Sequence, residues 1–279
     1  MSLAFGFSGC NSAGAAAADA NTWPAHALPP ALEAGEIHLW TIQTDLPARL
    51  RTSLAGFLDR DELRRARRLV AASASARFVA AHGALRLLLG AYTGAAPDAL
   101  RLRATGAGKP YLEDARLRFS LSHSAALALV AISEGAELGV DLERRRTVPD
   151  AVALATRYFA PDEARSLAAL PANEQSDAFL RYWTSKEAVM KLTGEGFARP
   201  LDSIRVTVEG NAPPRLLEVT GVPGAAHEWS LHALEPAAGY LAALVAAAGS
   251  SHVRCFTLGL EGLLGASRAA ADRARAGAR

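Results

Sequence analysis

The six residues Leu138–Glu143, read LGVDLE, constrain the fold of this chain more than any other stretch. As a strand they alternate between faces, so Asp141 and Glu143 point one way from neighbouring pleats and Val140 and Leu142 point the other, where a core would hold them. Gly139, just before the acidic pair, leaves room for something to approach the backbone. Paired carboxylates at this spacing repel unless a cation lies between them. Hard divalent cations take such oxygen ligands, and magnesium commonly combines one or two carboxylates with waters and phosphate oxygens. Arg144, Arg145 and Arg146 follow at once, so on these residues alone the more ordinary reading is a strand that ends in solvated charge.

A strand of this kind needs a core to cover it. Half of the 279 residues are hydrophobic, enough to bury a full core in one large domain or two modest ones. The net charge of +2 favours no particular partner. Cys10 and Cys255 are the only cysteines, too few for a thiolate zinc site and in keeping with a reducing cytoplasm. Residues 1–30, with an alanine run closed by Pro29-Pro30, read as a disordered extension; no Lys or Arg precedes Arg49, which does not suit a secretory signal. No stretch has the length and apolarity of a membrane span.

Periodicity places the remaining elements. Glu36–Thr41 alternates as a strand, with Ile37 and Leu39 on one face and His38 and Trp40 on the other. Arg49–Leu58 reads as a short helix, Asp59–Leu69 as a helix with acids first and arginines after, and Ser73–Ala91 as a longer one broken by Gly90 and Gly94. Gly106–Tyr111, GAGKPY, is a loop; Leu117–Leu121 is a strand, and Ala125–Ile132 a buried strand or a short helix leading into one. Helices follow at Ala151–Phe159 and from Pro161, then a long one over Asn173–Leu192 that packs through Phe179, Tyr182, Trp183 and Met190. Leu201–Val208, His227–Leu234 and Tyr240–Ala247 read as strands, and the tail from about Gly259 as a frayed amphipathic helix.

Several side chains carry chemistry. Arg64, Arg65, Arg67 and Arg68, with Arg77 on the next helix, suggest an anion site, although such a run is usually a solvated face. Nucleic acid would need a longer basic stripe or interleaved aromatics. On the long helix Glu187 and Lys191 sit four residues apart in the favourable order. Lys186 falls within the apolar arc, a conflict of pattern and chemistry that marks a site unless it is only a surface pair beside a buried stem. His123 taken alone is more often structural than functional.

Taken together and in order, GKPY, FSLSHS, GVDLE, RYFAPDE and WTSKEAVMK closely resemble the larger 4′-phosphopantetheinyl transferases, the type that activates surfactin synthetase, over roughly residues 36–247. The resemblance implies an α+β monomeric pseudo-dimer of two similar halves with the active site in the cleft between them. The chain would divide into 1–30 extension, 31–135 N-terminal half, 136–250 C-terminal half and 251–279 tail. It implies a cytoplasmic enzyme that transfers phosphopantetheine from coenzyme A to a serine of an apo acyl or peptidyl carrier protein, with neither nucleic acid nor membrane as partner. Residue by residue, Asp141, Glu143 and Glu187 would hold Mg²⁺; Glu187 would also be the candidate base, and Lys191 would bind the pyrophosphate. Arg64, Arg77 and His123 would grip the 3′-phosphate with Ser122 close by, Gly108, Lys109 and Pro110 would lie along the adenine, and Glu163 would be an additional acid near the metal. Asp61 and Glu62 stand where the family often has basic residues, and His82 occupies another such place. The apolar face near Phe159 and the turn at Gly194–Phe197 would meet the carrier. A non-catalytic module that binds carrier proteins or coenzyme A through the same cleft is the alternative.

Overall fold

A computed structural model describes residues 23–113, 116–208, 212–247 and 252–277. In chain order the elements are β1 (Ala25–His26), β2 (Glu36–Gln43), α1 (Ala48–Ala55), α2 (Arg60–Arg68), α3 (Ala72–Thr93), β3 (Leu102–Ala104), β4 (Pro110–Leu112), β5 (Leu117–Ser124), β6 (Leu127–Glu134) and β7 (Leu138–Arg144). They continue with α4 (Ala151–Tyr158), α5 (Pro161–Ala168), α6 (Ala172–Thr193), β8 (Ile204–Thr207), β9 (Arg215–Val219), α7 (Ala225–Glu228), β10 (Ser230–Leu234), β11 (Tyr240–Ala246), β12 (His252–Leu258) and α8 (Leu260–Gly277).

The α+β class is what these elements build. A five-stranded sheet runs β1-β12-β2-β6-β5 and a three-stranded sheet runs β10-β11-β7. Strand alternation sorts the side chains into three cores. Trp40 and Ile42 of β2 and Val130 and Ile132 of β6 face α1, α3 and α8. Leu241, Ala243 and Val245 of β11 face α6. The opposite faces, with Ile37, Leu39, Leu129, Val140, Leu142 and Leu244, pack the two sheets against each other. Asp141 and Glu143 therefore turn away from that central layer, toward α6.

Gly139 lies on the same side as the acids, and α6 rests on it. A β-carbon there would stand 2.0 Å from the Ala188 carbonyl oxygen and 2.4 Å from the Leu192 nitrogen. Only a glycine admits the helix this closely. The helix ends at Gly194, whose φ of 74° is left-handed and whose amide donates to the Met190 carbonyl.

Several expectations need correction. Gly90 does not break α3; it is buried within the helix, where a β-carbon would meet the Ala95 carbonyl oxygen at 2.8 Å, and Gly94, with φ 73°, ends it. Pro110–Tyr111 belongs to a short ladder with β3 rather than to a loop alone. Leu201–Ser203 is a 3₁₀ turn and His227 lies in a short helix, so the strands there are shorter than the apolar runs. Residues 1–22 of the proposed extension lie outside the described residues, whereas Ala25–His26 pairs in parallel with Thr257 and Leu258. The last segment is more than a tail: β12 lies between β1 and β2, and Leu260, Leu263 and Leu264 of α8 join the first core. Arg254 interrupts the apolar run of β12, and parallel pairing over this separation leaves no local signal.

Candidate active site

Glu187 and Lys191, one helical turn apart on α6, face the acids of β7. The Lys191 ammonium donates to Asp141 Oδ1 at 2.6 Å. Ser122 Oγ donates to the same oxygen at 2.8 Å, and Ser124 Oγ donates to Glu143 Oε2 at 3.0 Å. Asp141 Oδ2 and Glu187 Oε1 are buried without a hydrogen-bond partner. A buried carboxylate oxygen left bare costs about 1–3 kcal/mol, so two of them on side chains close enough for the Asp141 charge to act on Glu187 mark a place built for a ligand.

Electrostatics agree with that geometry. Burial, then the neighbouring Asp141 charge, and more weakly Glu143, push the Glu187 carboxyl up to about 7 against the opposing pull of Lys191. Burial and Asp141 likewise raise Glu143, against Ser124, Arg146 and Lys191. The Asp141 charge thus acts on both glutamates. Among the described residues, however, no three Asp, Glu, His or Cys side chains are gathered at the distances of a ligated ion. The bare oxygens and the all-carboxylate donor set fit a hard divalent cation, and a cation is what would draw mutually repelling acids inward.

A cavity of about 260 Å³ brings several sequence candidates together. Gly108, Lys109 and Pro110 form one wall, Phe119 and Leu121 a second, and Glu187, Met190 and Lys191 a third. Lys109 itself is tied across the cleft: its ammonium reaches Glu137 at 2.7 Å and the Leu192 carbonyl at 2.9 Å, and Arg118 holds the other oxygen of Glu137. On the far side of Glu143 lies a larger cleft of about 550 Å³, walled by Arg146, Tyr158, Phe159, Phe179, Trp183 and Arg199. Glu187 lines the first cavity and Glu143 the second.

The basic candidates are more dispersed. Arg64 is exposed on α2 and pairs with Asp61 at 2.9 Å. Arg77 holds Asp45 through two hydrogen bonds, of 2.7 and 3.1 Å. His123 keeps its imidazole pKa below the usual range, through desolvation and then the nearby His82 and Lys191 charges, so it is neutral at pH 7. Among the described residues, no hydrogen bond joins Arg64, Arg77 and His123 to one another. The single proton of Ser122 is already given to Asp141.

Glu163 is not brought to the acids. Its oxygens accept the Ala160 and Val206 amides, both at 2.9 Å, and it pairs with Lys186 at 2.7 Å. Lys186 also donates to the Leu201 and Ile204 carbonyls and lies 5.0 Å from the Phe159 ring centre. The lysine in the apolar arc is thus a buried staple that joins α5 and β8 to α6. Sequence reasoning passed over Ser124, Glu137 and Arg118; the alternating serines of FSLSHS were the available signal for the first.

The chain is similar to known proteins of one family. The model of the 4′-phosphopantetheinyl transferase superfamily matches residues 137–245, from β7 through α6 to β11. The 4′-phosphopantetheinyl transferase HetI of a Nostoc species is 38% identical over 216 residues, 76% of this chain and 88% of that protein. Psf-1 of Bacillus pumilus is 36% identical over 114 residues, 40% of this chain and 48% of its own length. Sfp of Bacillus subtilis is 35% identical over 100 residues, 36% and 43% of the two chains. The chain belongs to the 4′-phosphopantetheinyl transferase superfamily.

Proposed function

We propose that the protein transfers the 4′-phosphopantetheine arm of coenzyme A to a serine hydroxyl of an apo acyl or peptidyl carrier protein. The serine oxygen bonds to the phosphorus that bears the pantetheine, the bond from that phosphorus to the bridging diphosphate oxygen breaks, and 3′,5′-ADP leaves with the bridging oxygen. The observation that carries this reading is the meeting of Glu187 and Lys191 with Asp141 over a cavity walled by the Gly108–Pro110 loop. Asp141, Glu143 and Glu187 would hold Mg²⁺, whose charge would offset that of the diphosphate. Lys191, within reach of the same oxygens, stabilises the leaving phosphate. Glu187 would take the serine proton, directly or through a water. The Gly108–Pro110 wall suits the flat adenine, and His123 with Arg77 and Arg64 supplies hydrogen-bond donors for the 3′-phosphate. The apolar cleft beyond Glu143 is the side from which a carrier protein and the pantetheine arm approach. We read the protein as a cytoplasmic monomer in action; among the described residues no helix is long and apolar enough to cross a membrane.

Incubation with coenzyme A, Mg²⁺ and a panel of apo carrier proteins should add one phosphopantetheine mass to at least one carrier. Absence of any mass gain across the panel would overturn the enzymatic reading in favour of a binding module. Asp141→Ala should remain folded and lose magnesium-dependent turnover. Lys191→Met should lower kcat about a hundredfold, the scale of losing one donor to a developing oxyanion.

A further inference from the structure

The two sheets meet at β5 and β7, each an edge strand whose outer backbone groups need partners. Side chains supply them. Ser120, Ser122 and Ser124 alternate along β5, and their hydroxyl oxygens accept the amides of Val140 at 3.1 Å, Leu142 at 3.2 Å and Arg144 at 3.1 Å. The hydroxyls form a ladder in register with β7. A serine that accepts an amide still has one proton to give. Ser122 gives it to Asp141 and Ser124 to Glu143, each to the residue just before the amide it accepts. At the Ser120 rung the corresponding residue is Gly139, which has no carboxylate.

We propose that Ser122 and Ser124 are positioning residues for the acidic pair. Each hydroxyl is fixed by a backbone amide of β7 and in turn fixes one carboxylate oxygen, so that the other oxygen is left for a ligand. For Asp141 that other oxygen, Oδ2, is the buried one without a partner. A hydroxyl that donates to a carboxylate orients it and takes up one lone-pair direction, and such supporting bonds commonly govern metal affinity by about ten- to a hundredfold. This inference rests on the reading of Asp141, Glu143 and Glu187 as a divalent-cation site. It goes further by dividing one structural ladder into two rungs that serve the cation and one that does not.

The test compares Ser120→Ala, Ser122→Ala, Ser124→Ala and Ser124→Thr by Mn²⁺ binding, followed by electron paramagnetic resonance, and by thermal melting. The Mg²⁺ concentration for half-maximal transfer is measured alongside. Ser122→Ala and Ser124→Ala should weaken Mn²⁺ about tenfold or more and raise the Mg²⁺ requirement in parallel. Ser120→Ala should melt earlier, having lost the same amide contact, yet bind Mn²⁺ as the parent does. Ser124→Thr keeps the hydroxyl and should keep the affinity. If all three alanine variants lose affinity equally, or none does while the parent binds Mn²⁺, the serines only zip the sheets and the inference is overturned. A parent protein that binds no Mn²⁺ would instead remove the cation site itself, and the positioning role with it.

Discussion

Glu187 is held in a setting that opposes its charge. Its carboxyl titrates near 7 when folded, against an ordinary value of 4.5, because burial and the Asp141 charge favour the neutral form. Between these values the folded state binds the extra proton more tightly, so stability falls as pH rises from about 4.5 to 7 and stays low above it. In buffer free of divalent cations, Glu187→Gln should therefore raise the melting temperature at pH 8 and leave it unchanged near pH 4, a difference on the order of 3 kcal/mol. Equal melting curves for parent and variant at pH 8 would mean that the carboxylate is not held in this way. Lys186, the neighbouring residue, is a different case: its charge is wholly buried and answered by Glu163. Lys186→Met leaves that acid buried alone and should cost about 3–5 kcal/mol in urea denaturation, with part of the loss regained when Glu163→Gln is added. A double variant no more stable than the single one would show that the pair is not the source of the cost.

The contact of β7 with α6 is where elements become a site. The strand offers acids at alternate residues, the helix offers an acid and a base one turn apart, and Gly139 sets how closely the two approach. A methyl group at this position meets backbone atoms that cannot swing aside. Gly139→Ala should cost about 3 kcal/mol and, by lifting the helix off the strand, reduce transfer far more than the stability loss accounts for. Retained activity with an unaltered urea midpoint would refute this account of the contact. Much of this arrangement was legible in the sequence: the alternation of LGVDLE, the glycine beside it and the period of the long helix each point to the element that forms. The partner of Lys186 was not legible, since Glu163 lies on another helix and pairs with it only once α5 has packed against α6.

At the scale of the whole molecule, the chain does not finish where its second sheet does. β12 returns to the first sheet and pairs in parallel with both β1 and β2, from Ala25 to Thr41 on one side and His252 to Leu258 on the other. Removing everything after Ala247 would strip an inner strand from that sheet and three leucines from its core. Such a truncated chain should lose its cooperative thermal transition in circular dichroism. If it melts as sharply and at the same temperature as the full chain, the return strand is not part of the cooperative unit.

The amino-acid sequence by itself determined the local pieces: which faces of β2 and β7 are apolar, where α6 ends, and that two acids, a further acid and a lysine recur at strand and helix spacings. Those follow from backbone periods and from glycine's freedom, which act within a few residues. The tertiary structure alone decided which charges meet. It joined Lys186 to Glu163, turned Lys191 to Asp141, tied Lys109 to Glu137 and set the serines of β5 against the amides of β7. These are contacts between segments distant in the chain, and their partners are chosen by the packing of sheets and helices rather than by any spacing along it.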